Sequence, residues 1–290
     1  MNPQPWWRTL GHRALVLVAV VYCLFPVYFM LVQSLKTARE DVFGNPLIVT
    51  NPTLENFAEL FEPSGEPRGF VGRVLQRSYP FFVWLENTLV VFTGTLALTL
   101  GASVAAAYAL GRLRPPGFRW LRRVIFATYV IPQTILFVPL FRVVHTLGLD
   151  DNLLALVVIY PTMALPFCVW MLSAYFEHLP REIEEAALIE GAGRIQAFVR
   201  IILPLSRPVL VAAGVFTLGT IASDFTLASV FLLSDINKTV PAGLGSMEVA
   251  LDELLAVAGI NLMAIPVVLI SAVFARDYVR GLTAAMLEGA

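Results

Sequence analysis

Charge is missing from this chain in long blocks. Residues 14–35, 87–111, 152–176 and 254–275 hold no Asp, Glu, Lys or Arg over 22, 25, 25 and 22 positions, and residues 124–141 hold none over 18. About 20 apolar residues span the core of a bilayer as an α-helix. The blocks are apolar on every face, without the roughly 10-residue alternating segments of a membrane β-barrel. A sixth stretch is uncharged over 208–223, interrupted by Asp224, and uncharged again over 225–234. The pattern predicts an all-α integral membrane protein with six transmembrane helices inside residues 14–278.

Composition agrees. Hydrophobic residues are 58 % and charged residues 14 % of the 290, with a mean hydropathy of +0.75, against about 45–50 % and about 25 % in soluble domains. Disorder is excluded by the apolar content. A net charge of -1 provides no basic field for nucleic acid. Cys23 and Cys168 both lie in apolar runs, and His12, His145 and His178 are far apart in sequence. These residues supply no disulfide framework, metal set or catalytic constellation.

Arginine sets the orientation, because short cytoplasmic loops collect Lys and Arg. Arg112, Arg114, Arg119, Arg122 and Arg123 follow the second span, and Arg181, Arg194, Arg200 and Arg207 follow the fourth. Arg8 and Arg13 precede the first span, and Arg276 and Arg280 follow the last. Both termini, residues 1–13 and 279–290, are therefore expected in the cytoplasm. The segment 34–80 is expected outside despite five bases, which six acids accompany. The first span exceeds the apolar core of a signal peptide and reads as a retained anchor.

The cytoplasmic segment 177–207 breaks the apolar pattern. Pro180 suits a helix start, and Glu182, Glu184 and Glu185 suit the positive end of its dipole. Gly191 and Gly193 offer a stop or sharp bend, a second helix runs from Arg194 to about Leu203, and Pro204 and Pro208 flank the next span. An acidic, small-sided elbow fits an anionic membrane poorly and fits a protein partner better.

These residues resemble the EAA loop of ABC-importer permeases. Glu185, Ala186 and Ala187, then Gly191 and Ala192, then Phe198, Ile201, Leu203 and Pro204 reproduce its pattern with spacing intact, and Glu190 stands where the family usually has Asp. Residues 87–119 and 131–151 resemble the second and third spans of the carbohydrate-uptake branch, as in the second permease of a maltose-type importer. Ser223-Asp224-Phe225 lacks that branch's Trp, and Glu288 replaces a Lys in its C-terminal signature.

The resemblance implies a type I importer permease fold, a heterodimer with a related permease, two copies of an ATPase and an external sugar-binding protein. It assigns Glu185, Ala186, Ala187, Gly191 and Ala192 to the ATPase contact, with Phe198, Ile201, Leu203 and Pro204 carrying displacement into the fifth span. It also implies a binding-protein contact loop at Asn237, Lys238, Pro241, Gly243 and Gly245, with an ordinary connector as the competing reading. No G-x-x-x-x-G-K-[ST] occurs, and the two lysines, Lys36 and Lys238, are expected outside. ATP and Mg therefore belong to a partner polypeptide. Asp224, about 25 Å along a helix from Arg207, is a candidate pathway or gate residue; an interfacial acid is the competing reading. Two alternatives stay open: an ABC permease for a non-sugar solute, and an ion-coupled secondary transporter, which would need coupling charges near the midplane.

Overall fold

A computed structural model describes residues 6–61, 79–247 and 249–276. The expected cytoplasmic tail 279–290 and most of 62–80 lie outside these. Every regular element among the described residues is helical: α1 (Trp6–Ser34), α2 (Ala38–Phe43), α3 (Glu55–Leu60), α4 (Phe81–Tyr108), α5 (Phe118–Tyr129), α6 (Phe137–Thr146) and α7 (Leu153–His178). Then come α8 (Arg181–Ile189), α9 (Arg194–Leu205), α10 (Arg207–Ala222), α11 (Thr226–Phe231), α12 (Val240–Gly245) and α13 (Val249–Val273).

Among the described residues, four stretches are continuous helices long and apolar enough to cross a bilayer: Arg13–Ser34, Phe81–Leu113, Leu153–His178 and Glu253–Val273. The α9–α10 pair passes the same test but is bent by 74°. The stretch expected as a third span, 124–141, is not one helix. It breaks after Tyr129, passes through a 3-10 turn at Gln133–Leu136 and resumes as α6. Pro132 has no N–H to continue the ladder and disfavours helical geometry at Ile131. The fifth stretch breaks at Ser223-Asp224-Phe225, where the charge pattern placed its interruption.

The chain divides into two compact units. One contains Met1–Phe82 and Leu244–Ala264. In it the polar segment after α1 folds back on the end of that helix. Asn56 Nδ2 donates to the Ser34 and Lys36 carbonyls at 2.9 and 2.8 Å. Glu40 accepts from the Thr50 amide and hydroxyl and the Asn51 amide. Lys36 is fully buried and donates to the Pro46 carbonyl at 3.3 Å; the Thr50 hydrogen bonds, with a smaller contribution from Lys36, hold the Glu40 carboxyl below its ordinary value. Asn261 of α13 donates to the Met30 carbonyl at 3.0 Å.

The other unit contains Val83–Gly243 and Ile265–Ala290, and it is built around α7. Toward one end of α7, Leu156, Ile159, Tyr160 and Met163 pack with Val91, Ile221, Leu227 and Phe231. Toward the other, Cys168, Met171, Leu172 and Phe176 pack with Ala107, Ile202, Val209 and Ala213. Such a span, apolar all round and buried, is what its sequence describes.

Close packing at the second end needs Gly111, because a Cβ there would lie 2.7 Å from the Ser173 carbonyl oxygen and 3.2 Å from Phe176 Cβ. Gly111→Ala should cost about 1–3 kcal/mol through overpacking against backbone. It lowers the detergent melting temperature of the purified subunit. Gly101→Ala on the same helix, where nothing lies within 4 Å, leaves it unchanged. Equal melting for the two variants would refute the packing assignment.

Candidate functional site

Polar clusters close the two ends of α7. At the end expected to face the cytoplasm, the helix stops at His178 because Leu179 precedes Pro180 and takes an extended conformation. Its last carbonyls are capped from another helix. Beyond Tyr108, α4 widens into a π turn, with the Arg114 amide donating to the Ala109 carbonyl at 3.0 Å, and this turn aims Arg112 inward. Only 3 % of the Arg112 side chain is exposed. Its Nη1 donates to the Leu179 and Phe176 carbonyls at 2.6 and 3.4 Å, and Nη2 to the Pro180 carbonyl at 3.2 Å. Its Nε donates to Glu184 Oε2 at 3.0 Å, while the Tyr108 hydroxyl donates to Glu184 Oε1 at 2.8 Å. Beside this knot, Glu177 receives Arg114 and Arg122 at 2.9 and 2.6 Å, tying α5 to the end of α7. A buried cation is stable only when so surrounded.

Glu184 lies in the first turn of α8, where an acid also suits the dipole. The motif residues of this elbow divide by exposure. Glu185, Ala186 and Gly191 are exposed; Ala187 is buried; Ala192, Phe198, Ile201 and Leu203 are half-buried; Pro204 is exposed. Gly191 has φ +91°, its amide donates to the Leu188 carbonyl, and the Ala192 amide donates to the Ala187 carbonyl. This pairing is a Schellman cap, which needs a left-handed residue and therefore favours Gly. Beyond it, the Gly193 amide donates to Gln196 Oε1 at 3.2 Å and opens α9. The Phe198 ring lies 4.3 Å from Tyr108 and edge-on to Phe176 at 6.2 Å, so the second limb of the elbow leans on the same tyrosine. Two large apolar side chains flank the bend in the open: Ile189 is 87 % and Ile195 80 % exposed.

At the other end of α7, Asp151 (φ 53°) clamps the expected contact loop. It accepts from the Leu233 and Ser234 amides at 2.8 and 3.0 Å and from the Ser234 hydroxyl. Its carbonyl accepts from Asn237 Nδ2 at 2.7 Å. Asn87 Nδ2 donates to the Ile236 and Lys238 carbonyls, and Lys238 pairs with Asp235 at 2.6 Å. Gly243 is packed so closely on Trp84 that a Cβ would lie 2.3 Å from the ring. Pro241 is half-buried, and Gly245 is exposed. The loop is thus a pinned lid whose outward apolar side chains are Leu233 and Ile236, residues the sequence did not single out. Asp224 accepts from the Tyr160 hydroxyl at 2.9 Å and from the Leu227 and Ala228 amides at 3.4 and 3.2 Å. It caps α11 and ties it to α7.

The sequence reading also missed Tyr108, Arg112, Glu177 and Glu184 as partners. Arg112 reads in sequence as one of five loop arginines, and Glu184 as one of three dipole acids. The sole clue was that Arg112 directly ends an uncharged run.

Residues 97–283 match the family described as binding-protein-dependent transport system inner membrane component, and the chain belongs to this family: it is a non-catalytic permease subunit of an ABC importer, a class that works with an ATPase and a binding protein. It is 32 % identical over 283 residues to the inner membrane ABC transporter permease protein YcjP of Escherichia coli (strain K12), covering 97 % of this chain and 96 % of that one. It is 30 % identical over the whole of both chains to the trehalose/maltose transport system permease protein MalG of Thermococcus litoralis. It is 32 % identical to the sulfoquinovosyl glycerol transport system permease protein SmoH of Agrobacterium fabrum, over 94 % of this chain and 91 % of that one. A crystal structure of a bacterial ABC transporter involved in the import of the acidic polysaccharide alginate shares the fold. Its TM-score is 0.72 at 20 % identity, covering 95 % of this chain and 99 % of that one.

The Asp151 clamp has a pH signature. Burial acts to raise the carboxyl, but the Ser234 hydroxyl and amide, the Leu233 amide and Asn237 outweigh it and hold the group below its ordinary value. A depressed acid stabilises the fold fully above its unfolded pKa, about 4, and that contribution is lost as pH falls through the folded value. The melting-temperature gap between wild type and Asp151→Asn should be constant from about pH 5 to 7 and shrink below about pH 4. A gap independent of pH throughout would contradict the clamp.

Proposed function

We propose that this chain is the second permease of a sugar or oligosaccharide importer in a bacterial or archaeal cytoplasmic membrane. It pairs with a related permease, docks on two copies of an ATPase that bind ATP and Mg, and receives substrate from an extracytoplasmic sugar-binding protein. The sugar class is supported by relatives named for trehalose/maltose, sulfoquinovosyl glycerol and diacetylchitobiose transport. A pathway with few charges suits a neutral solute. In this reading the termini are cytoplasmic and six segments cross the membrane, the third as the broken α5–α6 pair.

The observation that carries the reading is the α8 elbow. Glu185, Ala186 and Gly191 form its exposed small-sided face, with Ile189 beside them as an apolar prong. Ala187 and Ala192 let the helix lie close to the bundle. Phe198, Ile201, Leu203 and Pro204 carry its displacement to α10. ATP-driven closure of the motor pushes α8, the bundle opens outward to take substrate, and hydrolysis returns it inward, an alternating-access cycle. Asn237, Lys238, Pro241, Gly243 and Gly245 shape the lid that faces the binding protein, with Leu233 and Ile236 as its outward apolar contacts. Asp224 borders the pathway as the tie between α7 and α11.

Gly191→Pro tests the docking assignment. Proline fixes φ near −65° and deletes the N–H, so it forbids the φ of +91° and the bond to Leu188. The variant should reach the membrane yet lose transport and substrate-stimulated ATP hydrolysis in the reconstituted complex. Stimulated turnover at the wild-type rate would refute the role of the elbow.

A further inference from the structure

We propose that Arg112 is a positioning residue that makes the end of α4, the second span, a direct arm of the coupling machinery. It bolts α8 to α4, so a push on α8 reaches the second span as well as the fifth. The inference rests on the reading of α8 as the ATPase contact, and deepens it.

Three features of the geometry carry it. First, α8 has little else to hold it: within its nine residues Ala187 is the buried side chain, and so short a helix is marginal by its own propensity. Its orientation is therefore set by the link at Glu184. Second, that link is complete on both sides. All three guanidinium nitrogens of Arg112 are engaged, and each Glu184 oxygen has a donor. Tyr108 and Arg112 stand four residues apart, on one face of the end of α4, and grip the same carboxylate. Third, Tyr108 also touches the other limb through Phe198, which opens a second π turn at Phe198–Ile202. Both limbs of the elbow thus bear on the last turn of one span, each through a π turn, a local widening found often at functional sites. A residue that merely capped α7 would need the three carbonyl contacts alone; the Glu184 arm is the part that joins α4 to α8.

The test uses the complete transporter in nanodiscs with its loaded binding protein. Glu184→Gln removes the charge pair but leaves the three carbonyl bonds of Arg112, and Tyr108→Phe removes one hydroxyl while keeping the ring. In both variants the ATPase should co-purify in wild-type amount, and the basal hydrolysis rate and the KM for ATP should be unchanged. The stimulated kcat should fall, on the order of 10-fold for Glu184→Gln, the scale of a coupling between sites, and less for Tyr108→Phe. Arg112→Lys should not rescue coupling, because one ammonium cannot replace the planar fork. Full stimulation in Glu184→Gln would overturn the proposal. So would loss of the ATPase from that complex, which would make the link purely structural. Failure of an Ile189→Cys complex, otherwise native, to cross-link to the ATPase would instead overturn the docking reading beneath it.

Discussion

A buried guanidinium dictates its surroundings. Removing Arg112 from water is tolerable only if acceptors replace its hydration, and breaking such a set leaves an uncompensated charge. The acceptors come from three places: the carbonyls that end α7, the carbonyl of Pro180, and the Glu184 carboxylate of α8. One side chain therefore caps the end of the central span, holds the turn out of it, and sets where α8 lies. Gly111 beside it lets the two backbones approach closely enough for this geometry. Glu177, shared by Arg114 and Arg122, extends the same polar layer to α5.

The opposite end of the unit uses a different device. There half-buried acids collect backbone amides, with Asp151 bonded to residues 233 and 234 and Asp224 capping α11. Carboxylates that accept backbone N–H groups order loops without burying a charge deeply. Between the two ends, apolar packing along α7 supplies the body of the unit and carries no specificity. Polar chemistry is thus concentrated at the two ends of α7, as expected when unsatisfied polar groups in lipid are costly.

The uncharged runs revealed the long spans because lipid demands apolarity at every position of a crossing helix. They overstated the third, since charge counting is blind to Pro132, whose effect is on backbone geometry. The Gly191 bend was legible because a left-handed helix cap has few sequence solutions. The division of the EAA residues into an exposed face and a half-buried face was not, as Ala186 and Ala187 are identical in sequence and differ only in which way α8 turns. Lys36 counts in the charge pattern only for its expected side of the membrane, and no local pattern announces its burial at the end of α1. The Arg112–Glu184 pair joins residues 72 apart, and no local pattern announces such a contact. Asp224 was found from its place in an apolar stretch, but its partner Tyr160 was not.

If the Arg112–Glu184 pair is a rigid bolt, α8 and the end of α4 move as one body. Spin labels at Ile189→Cys and Leu113→Cys, with Cys23 replaced by Ser, report the separation of the elbow from the end of α4, where Leu113 is exposed. Double electron–electron resonance on the assembled transporter, nucleotide-free and vanadate-trapped, measures it most directly. A rigid bolt gives the same distance distribution in both states. A distribution that shifts between them, in a complex that still transports, would contradict it.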